Sequence, residues 1–164
     1  MTIRNLHQVL SPKSLAVLGA SDRVGSLGRV VMSNILSAGF SGPIWPVNPK
    51  YDEVAGLRCY RRVDDLEGVP DLAIILTPAA QVPAAIDELG RKGTRAAVVI
   101  TAGLTSGNGL RQAMLDAARP YLFRIIGPNT VGLNIPPIRL NASFAHLSGT
   151  PGNIALLSQS GAIM

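Results

Sequence analysis

The stretch Gly19-Ala20-Ser21-Asp22-Arg23-Val24-Gly25-Ser26-Leu27-Gly28 has the composition of a phosphate-binding loop. Glycine lets backbone approach a pyrophosphate closely, and unpaired N–H groups at a helix start point toward negative charge. Candidate contacts are Gly19, Ala20, Ser21, Arg23, Gly25 and Gly28. The strict G-x-G-x-x-G spacing is absent, so a second reading stays open: a turn in which Gly28 merely lets a helix pack close to a sheet. Dinucleotide enzymes place an acid at the end of the second strand, about 20 residues after the glycines, to hold a ribose diol. Here that place reads Asn48-Pro49-Lys50. Without the acid NAD loses its anchor, whereas Lys50 can meet a ribose phosphate as a point charge. The pair Asn48 and Lys50 therefore favours CoA or NADP over NAD, with a solvated turn lysine as the plain alternative. Three further loops carry small or hydroxyl residues: Thr77-Pro78-Ala79, Thr101-Ala102-Gly103-Leu104 and Gly127-Pro128-Asn129-Thr130. Each alone is ordinary turn chemistry. Together they matter only if the fold brings them to one edge.

Catalytic patterns are missing. The sequence has no G-x-x-x-x-G-K-[ST], H-E-x-x-H or G-x-S-x-G. His7 and His146 have no neighbouring acid that would mark a base or a metal ligand, and they read as surface or packing residues. A single cysteine, Cys59, excludes an internal disulfide and a cysteine-based zinc cluster within one chain. No catalytic residue and no metal site is expected. The formal charge of +5 comes from scattered basic residues, Arg61-Arg62 and Arg91-Lys92 being the longest runs. Aromatics make up only 4%, which leaves no stacking platform for bases, so nucleic acid is not an expected partner. A small phosphorylated ligand suits the positive balance better.

The elements that must position these loops follow from apolar periodicity. Of the 164 residues 47% are hydrophobic and 15% charged, enough for one globular core. Ser14 to Leu18 is a short apolar run ending at Gly19, as in a strand buried on both faces. Leu27, Val30, Val31, Ile35 and Ala38 then recur at helical spacing, with Ser26 as N-cap and Gly39 as the stop. Strands are expected at Pro43 to Val47, Asp71 to Leu76, Arg95 to Ile100 and Leu122 to Ile126. Helix faces are expected at Val82 to Leu89, ending by Gly93, and at Leu110 to Ala118, halted by Pro120. This alternation predicts an α/β fold with a doubly wound parallel sheet, whose right-handed crossovers put these loops at the carboxyl ends of strands.

From Pro128 to Asn153 the periodicity fades into Pro, Gly, Asn and Ser, which reads as a linker or wrapping arm. Ile154 to Leu157 resumes an apolar run before Ser158-Gln159-Ser160-Gly161. The expected organisation is a first domain over 1–132, an irregular arm over 133–153, and the first strand of a truncated second domain over 154–164. A bare apolar strand there would pair with another copy, so a homo-oligomer is expected. No apolar run reaches the roughly 18 residues needed to cross a bilayer, and Met1 to Leu10 shows no signal or transit pattern. A cytoplasmic setting without a membrane partner is the expectation.

Several motifs, in order, are shared with a known family: Ser11-Pro12-Lys13-Ser14, Gly19-Ala20-Ser21, Pro46-Val47-Asn48-Pro49, Gly127-Pro128-Asn129, Leu140-Asn141-Ala142-Ser143-Phe144 and Ser158-Gln159-Ser160-Gly161. Across nearly its whole length the chain resembles the NDP-forming (ADP-forming) acyl-CoA synthetases. The resemblance implies a Rossmann-type CoA-binding domain, similar to that of the succinyl-CoA synthetase α subunit, and CoA or acyl-CoA as cofactor. By position it puts Gly19, Ser21, Arg23, Gly25 and Gly28 in the phosphate loop and Asn48 and Lys50 in the second-strand loop. Thr77 and Pro78 fall on the pantetheine side, and Gly127, Pro128 and Asn129 in a turn near the thiol. Thr101 belongs to the same strand edge. In that family phosphate moves through a histidine and an ATP-grasp portion that lie past Met164, so this stretch is expected to bind CoA without catalysing. The same module also heads GNAT-fused protein lysine acetyltransferases, which keeps a regulatory role open. Partners would be the remaining synthetase or acetyltransferase domains. An NADP-binding oxidoreductase domain is the alternative from another class.

Overall fold

A computed structural model describes residues 3–155. Its centre is a five-stranded parallel sheet built from β1 (Leu15–Leu18), β2 (Ile44–Val47), β5 (Leu72–Ile75), β6 (Ala96–Val99) and β7 (Arg124–Ile126). The spatial order is β2-β1-β5-β6-β7. Between β2 and β5 lies a small hairpin of β3 (Glu53–Val54) and β4 (Leu57–Arg58). The four-residue strands β1, β5 and β6 are buried throughout, which is why they appear in the sequence as unbroken apolar runs. Alternate side chains separate into two cores. Ala16, Leu18, Ala73, Ile75, Ala97 and Val99 face α3 (Val82–Lys92) and α4 (Leu110–Ala118). Leu15, Val17, Leu72, Ile74, Ala96 and Val98 face α2 (Leu27–Ala38) and α1 (Leu6–Leu10). The strand order therefore reverses between β1 and β5, where crossovers leave for opposite faces. The expected doubly wound α/β architecture is the one observed.

Local signals work where they are confined to a few residues. Ser26 caps α2 by accepting from the Arg29 N–H at 3.3 Å, and Gly39 ends the helix at φ 80°. Gly93 ends α3 in the same left-handed region, at φ 115°. The last strand of the sheet is shorter than expected. After α4 the chain makes a 3-10 turn over Arg119–Tyr121, Leu122 adopts φ 52°, and β7 starts only at Arg124. Pro120 thus breaks the helix without launching the strand directly.

The segment expected to be irregular after Pro128 contains an antiparallel hairpin, β8 (Gly132–Ile135) and β9 (Leu140–Ser143). It packs on α2. Leu140 and Ala142 enter the core on that side of the sheet, and the Asn34 amide donates to the Ser143 and Ala145 carbonyls at 2.8 and 3.1 Å. Each strand is only four residues long and Pro136–Pro137 interrupts the pair, so no periodicity was long enough to reveal it. Helix α1 and the β3–β4 hairpin also escape a sequence reading, for the same reason of length. The strand expected at Ile154 to Leu157 does not begin at Ile154 or Ala155, which lie outside any strand, with Ile154 95% exposed. Leu156, Leu157 and Ser158 to Gly161 lie outside the described residues, as does the oligomer contact expected of that strand. No helix among the described residues is long and apolar enough to cross a membrane.

Candidate functional site

The parallel register aligns Leu18 with Val47 and Ile75, and Ile75 with Val99, so the loops after β1, β2, β5 and β6 share one carboxyl edge. At the reversal point the backbone is tight. The Gly19 N–H donates to the Val47 carbonyl at 2.9 Å, the Leu76 N–H to the Leu18 carbonyl at 2.8 Å, and Gly19 sits at φ 88°. A Cβ at Gly19 would stand 3.0 Å from the Leu76 carbonyl carbon. Gly28, in the first turn of α2, is closer still: a Cβ there would collide with the Gly19 carbonyl oxygen. The open alternative for Gly28, close helix-to-sheet packing, is thus what the backbone requires, and it brings the start of α2 against the loop.

Two adjoining clefts run along this edge. The larger, about 880 Å³, lies on the β1–β2 side and is walled by Gly19, Ser21, Arg23, Gly28, Asn48 and Lys50. The smaller, about 570 Å³, lies on the β6–β7 side and is walled by Thr101, Asn129, Ile100 and Phe144. Leu27, Leu76, Thr77 and Pro78 line both, forming the wall between them. Ala20, Gly25, Gly127 and Pro128 line neither cleft. Ala20 is buried, Gly25 is an exposed left-handed residue at φ 76°, and a Cβ at Gly127 would meet the Val99 carbonyl.

Side chains on this edge mostly brace the loops. Asn48 donates from Nδ2 to the Ala20 carbonyl at 2.7 Å and accepts the Lys50 N–H on Oδ1 at 3.0 Å, tying the second-strand loop to the first. Ser21 Oγ accepts the Arg23 N–H at 3.0 Å and shares a 3.3 Å hydrogen bond with the Tyr51 hydroxyl. The Asp22 carboxylate accepts the Ala55 N–H at 3.1 and 3.2 Å. Thr101 Oγ1 donates to the Thr77 carbonyl at 2.7 Å, joining the loops after β5 and β6. By contrast Thr77 Oγ1 is buried with no hydrogen-bond partner. An orphaned buried hydroxyl costs about 1–3 kcal/mol, a cost that a bound polar group at this wall would relieve.

Sequence reasoning missed Tyr51, Arg61 and Arg62, which also line the larger cleft. The arginine doublet was visible as a charge run, but its place depends on a bridge between Val47 and Tyr60 that no local pattern shows. The two histidines and the single cysteine, for which no catalytic role is expected, do not line the edge. His7 and His146 are exposed and line neither cleft. Burial pushes the Cys59 thiol up, with Asp52 and Asp22 adding to the effect, so the thiol stays protonated at neutral pH and is a poor nucleophile. No group of three or more His, Cys, Asp or Glu residues suited to a metal occurs among the described residues.

A helix start and a lysine thus lie on one side of the reversal point and an uncharged, mainly apolar cleft on the other. The family model described as a CoA binding domain matches residues 13–136. The chain belongs to the CoA-binding domain family. The acetate–CoA ligase (ADP-forming) of Methanocaldococcus jannaschii is 43% identical over 97% of this chain and 23% of its own length. The 4-hydroxybutyrate–CoA ligase (ADP-forming) of Nitrosopumilus maritimus is 38% identical over 94% of this chain and 23% of its own. Among solved structures, the dinucleotide-forming acetyl-coenzyme A synthetase 1 of Ca. Korarchaeum cryptofilum, in complex with phosphate and ADP, superposes with a TM-score of 0.90. It shares 39% identity, over 96% of this chain and 34% of that one. The chain therefore spans about a quarter to a third of the length of these relatives. The match is to ADP-forming CoA ligases, as the sequence motifs implied, and it lends the acetyltransferase and NADP readings no support.

Proposed function

We propose that this CoA-binding domain serves an ADP-forming acyl-CoA ligase, holding CoA across the reversal point of the sheet with its thiol end in the smaller cleft. One observation carries the placement: a cleft with cationic side chains and an uncharged, mainly apolar cleft meet at a shared wall, as an extended ligand with an ionic head and an uncharged tail requires. Gly19, Ser21, Arg23 and the first N–H groups of α2 at Leu27 and Gly28 would receive the pyrophosphate. Asn48 would act by bracing the loops, and Lys50 would meet the ribose phosphate. Thr77 and Pro78 would guide the pantetheine over the wall, with Thr101 and Asn129 near its end. The buried, partnerless Thr77 hydroxyl on the wall between the clefts is a feature that fits such a ligand. CoA supplies the thiol that carries the acyl group; the protein's own part here is to bind, orient and position. Ala20, Gly25, Gly127 and Pro128 would support loop shape. A cytoplasmic setting suits a chain whose one cysteine, Cys59, is a free and buried thiol.

CoA at one hundred times its dissociation constant is expected to stabilise the chain by about 2.7 kcal/mol, a rise in Tm of roughly 5–10 °C, while NADPH at the same concentration leaves Tm unchanged. An equal shift with NADPH in differential scanning fluorimetry overturns the reading. The ligase chemistry itself is proposed to reside elsewhere in the parent protein. Incubated with labelled ATP, a carboxylic acid and CoA, this chain is expected to take up no phosphate and release no acyl-CoA; label on His7 or His146 would refute that.

A further inference from the structure

Between β2 and β5 the chain leaves the sheet edge at Asn48, turns through the β3–β4 hairpin, and comes back. The return is fixed by backbone pairing. The Tyr60 N–H donates to the Pro46 carbonyl and the Asn48 N–H to the Tyr60 carbonyl, both at 2.9 Å, while the Tyr60 side chain is buried in the core. Tyr60 thus adds a single parallel rung beside Val47, and the next two residues, Arg61 and Arg62, are delivered to the carboxyl edge where Lys50 lies. Residues far apart along the chain become one charged wall. The larger cleft carries Arg23, Lys50, Arg61 and Arg62 against a single carboxylate, Glu88.

The partners of the two arginines are informative. Arg61 reaches Asp52 at 3.2 Å and Arg62 reaches Asp64 at 3.3 Å, and all four side chains are at least half exposed. Pairs of this kind contribute little to stability and are exchanged at little cost. A phosphomonoester carries nearly two charges and three acceptor oxygens, and a guanidinium fork can bind it in two places, which a lysine cannot. The pyrophosphate, with its diester charges, is proposed above to lie at the start of α2. The β2 side is therefore free for a terminal phosphate on the ribose.

We infer that Arg61 and Arg62, together with Lys50, form a subsite for a ribose phosphomonoester and make this domain discriminate CoA from dephospho-CoA. The inference rests on the proposed placement of CoA but makes a separate demand. The 2′-phosphate of NADP has the same chemistry as the 3′-phosphate of CoA, so the ligands tested must distinguish them.

The test is isothermal titration of CoA and dephospho-CoA into the unaltered chain, the Arg61→Ala/Arg62→Ala variant, and an Arg91→Ala/Arg119→Ala control that removes equal charge outside the clefts. Adenosine 3′,5′-bisphosphate and its 2′,5′ isomer are titrated in parallel. The unaltered chain and the control are expected to prefer CoA over dephospho-CoA by about ten-fold or more, and the Arg61/Arg62 variant by about two-fold or less, with dephospho-CoA affinity unchanged. Both arginines are exposed, so Tm should stay within about 2 °C of the unaltered value. If neither CoA nor dephospho-CoA binds, the functional reading itself fails. Equal binding of the two by the unaltered chain, an undiminished preference in the Arg61/Arg62 variant, or an equal loss in the control overturns the subsite while leaving CoA binding in place. Tighter binding of the 2′,5′ isomer would assign the wall to the other phosphate position and overturn it too.

Discussion

Gly28→Ala is expected to lower Tm by roughly 4–8 °C, although alanine is the better helix former. Position 28 lies in the first turn of α2, where propensity alone favours alanine by about 1 kcal/mol. Packing opposes it. The added methyl would collide with the Gly19 carbonyl oxygen and stand 3.1 Å from the Ser21 nitrogen and 3.3 Å from the Ala20 carbonyl carbon. These are backbone atoms, pinned by the Gly19 bond to Val47 and by Asn48 on the Ala20 carbonyl, so no rotamer change relieves the clash. Overpacking of this type costs about 3 kcal/mol at the upper end of its range and outweighs the propensity gain. A melting curve that rises by 2–3 °C, as propensity alone would give, would show that α2 does not approach the loop this closely. The same collision makes Gly28→Asp a poor probe of anion binding, because lost CoA affinity would follow from the displaced loop as well as from the new charge. Gly25, left-handed but with nothing near its Cβ position, is the gentler control: Gly25→Ala should cost only about 1 kcal/mol of backbone strain.

Leu140→Ala should be at least as damaging, at about 3 kcal/mol, and its effect on ligands should be selective. Leu140 is fully buried in the core between the sheet and α2. Truncation removes transfer energy and leaves a cavity that the strand pair β8–β9 can close only by shifting, which places the loss within the 2–5 kcal/mol typical of buried leucines. Phe144, directly after β9, and Val131, directly before β8, wall the smaller cleft. Loosening the hairpin should weaken CoA, whose distal end is proposed to lie there, by about ten-fold, while adenosine 3′,5′-bisphosphate, confined to the larger cleft, keeps its affinity. Leu147→Ala, at an 84% exposed position, is the matched control and should move stability by less than about 0.5 kcal/mol. A Leu140→Ala variant as stable as that control would mean that the hairpin is not docked on α2.

Which parts of this molecule are local and which are not follows from the range of the forces involved. The apolar runs at Leu15–Leu18, Leu72–Ile75 and Ala96–Val99 identify a sheet covered on both faces, because burial on both faces leaves no polar position to alternate with. Ser26, Gly39 and Gly93 mark helix ends because a cap acts within three or four residues of itself. Alternation of strand and helix, with right-handed crossovers, then places the loops at Gly19, Asn48, Thr77 and Thr101 on one edge without any long-range knowledge. The sequence by itself thus determined the fold class and the strand-end loops that build part of the cleft wall. Tertiary packing alone decided the rest. That Gly28 serves the contact with Gly19, that Leu140 and Ala142 seal α2, and that Arg61 and Arg62 stand beside Lys50 all depend on segments meeting across the fold. Such meetings are chosen by the summed burial and backbone pairing of the whole chain, as when Tyr60 pairs with Pro46 and Asn48, and four-residue strands broken by prolines carry too little periodicity to announce them.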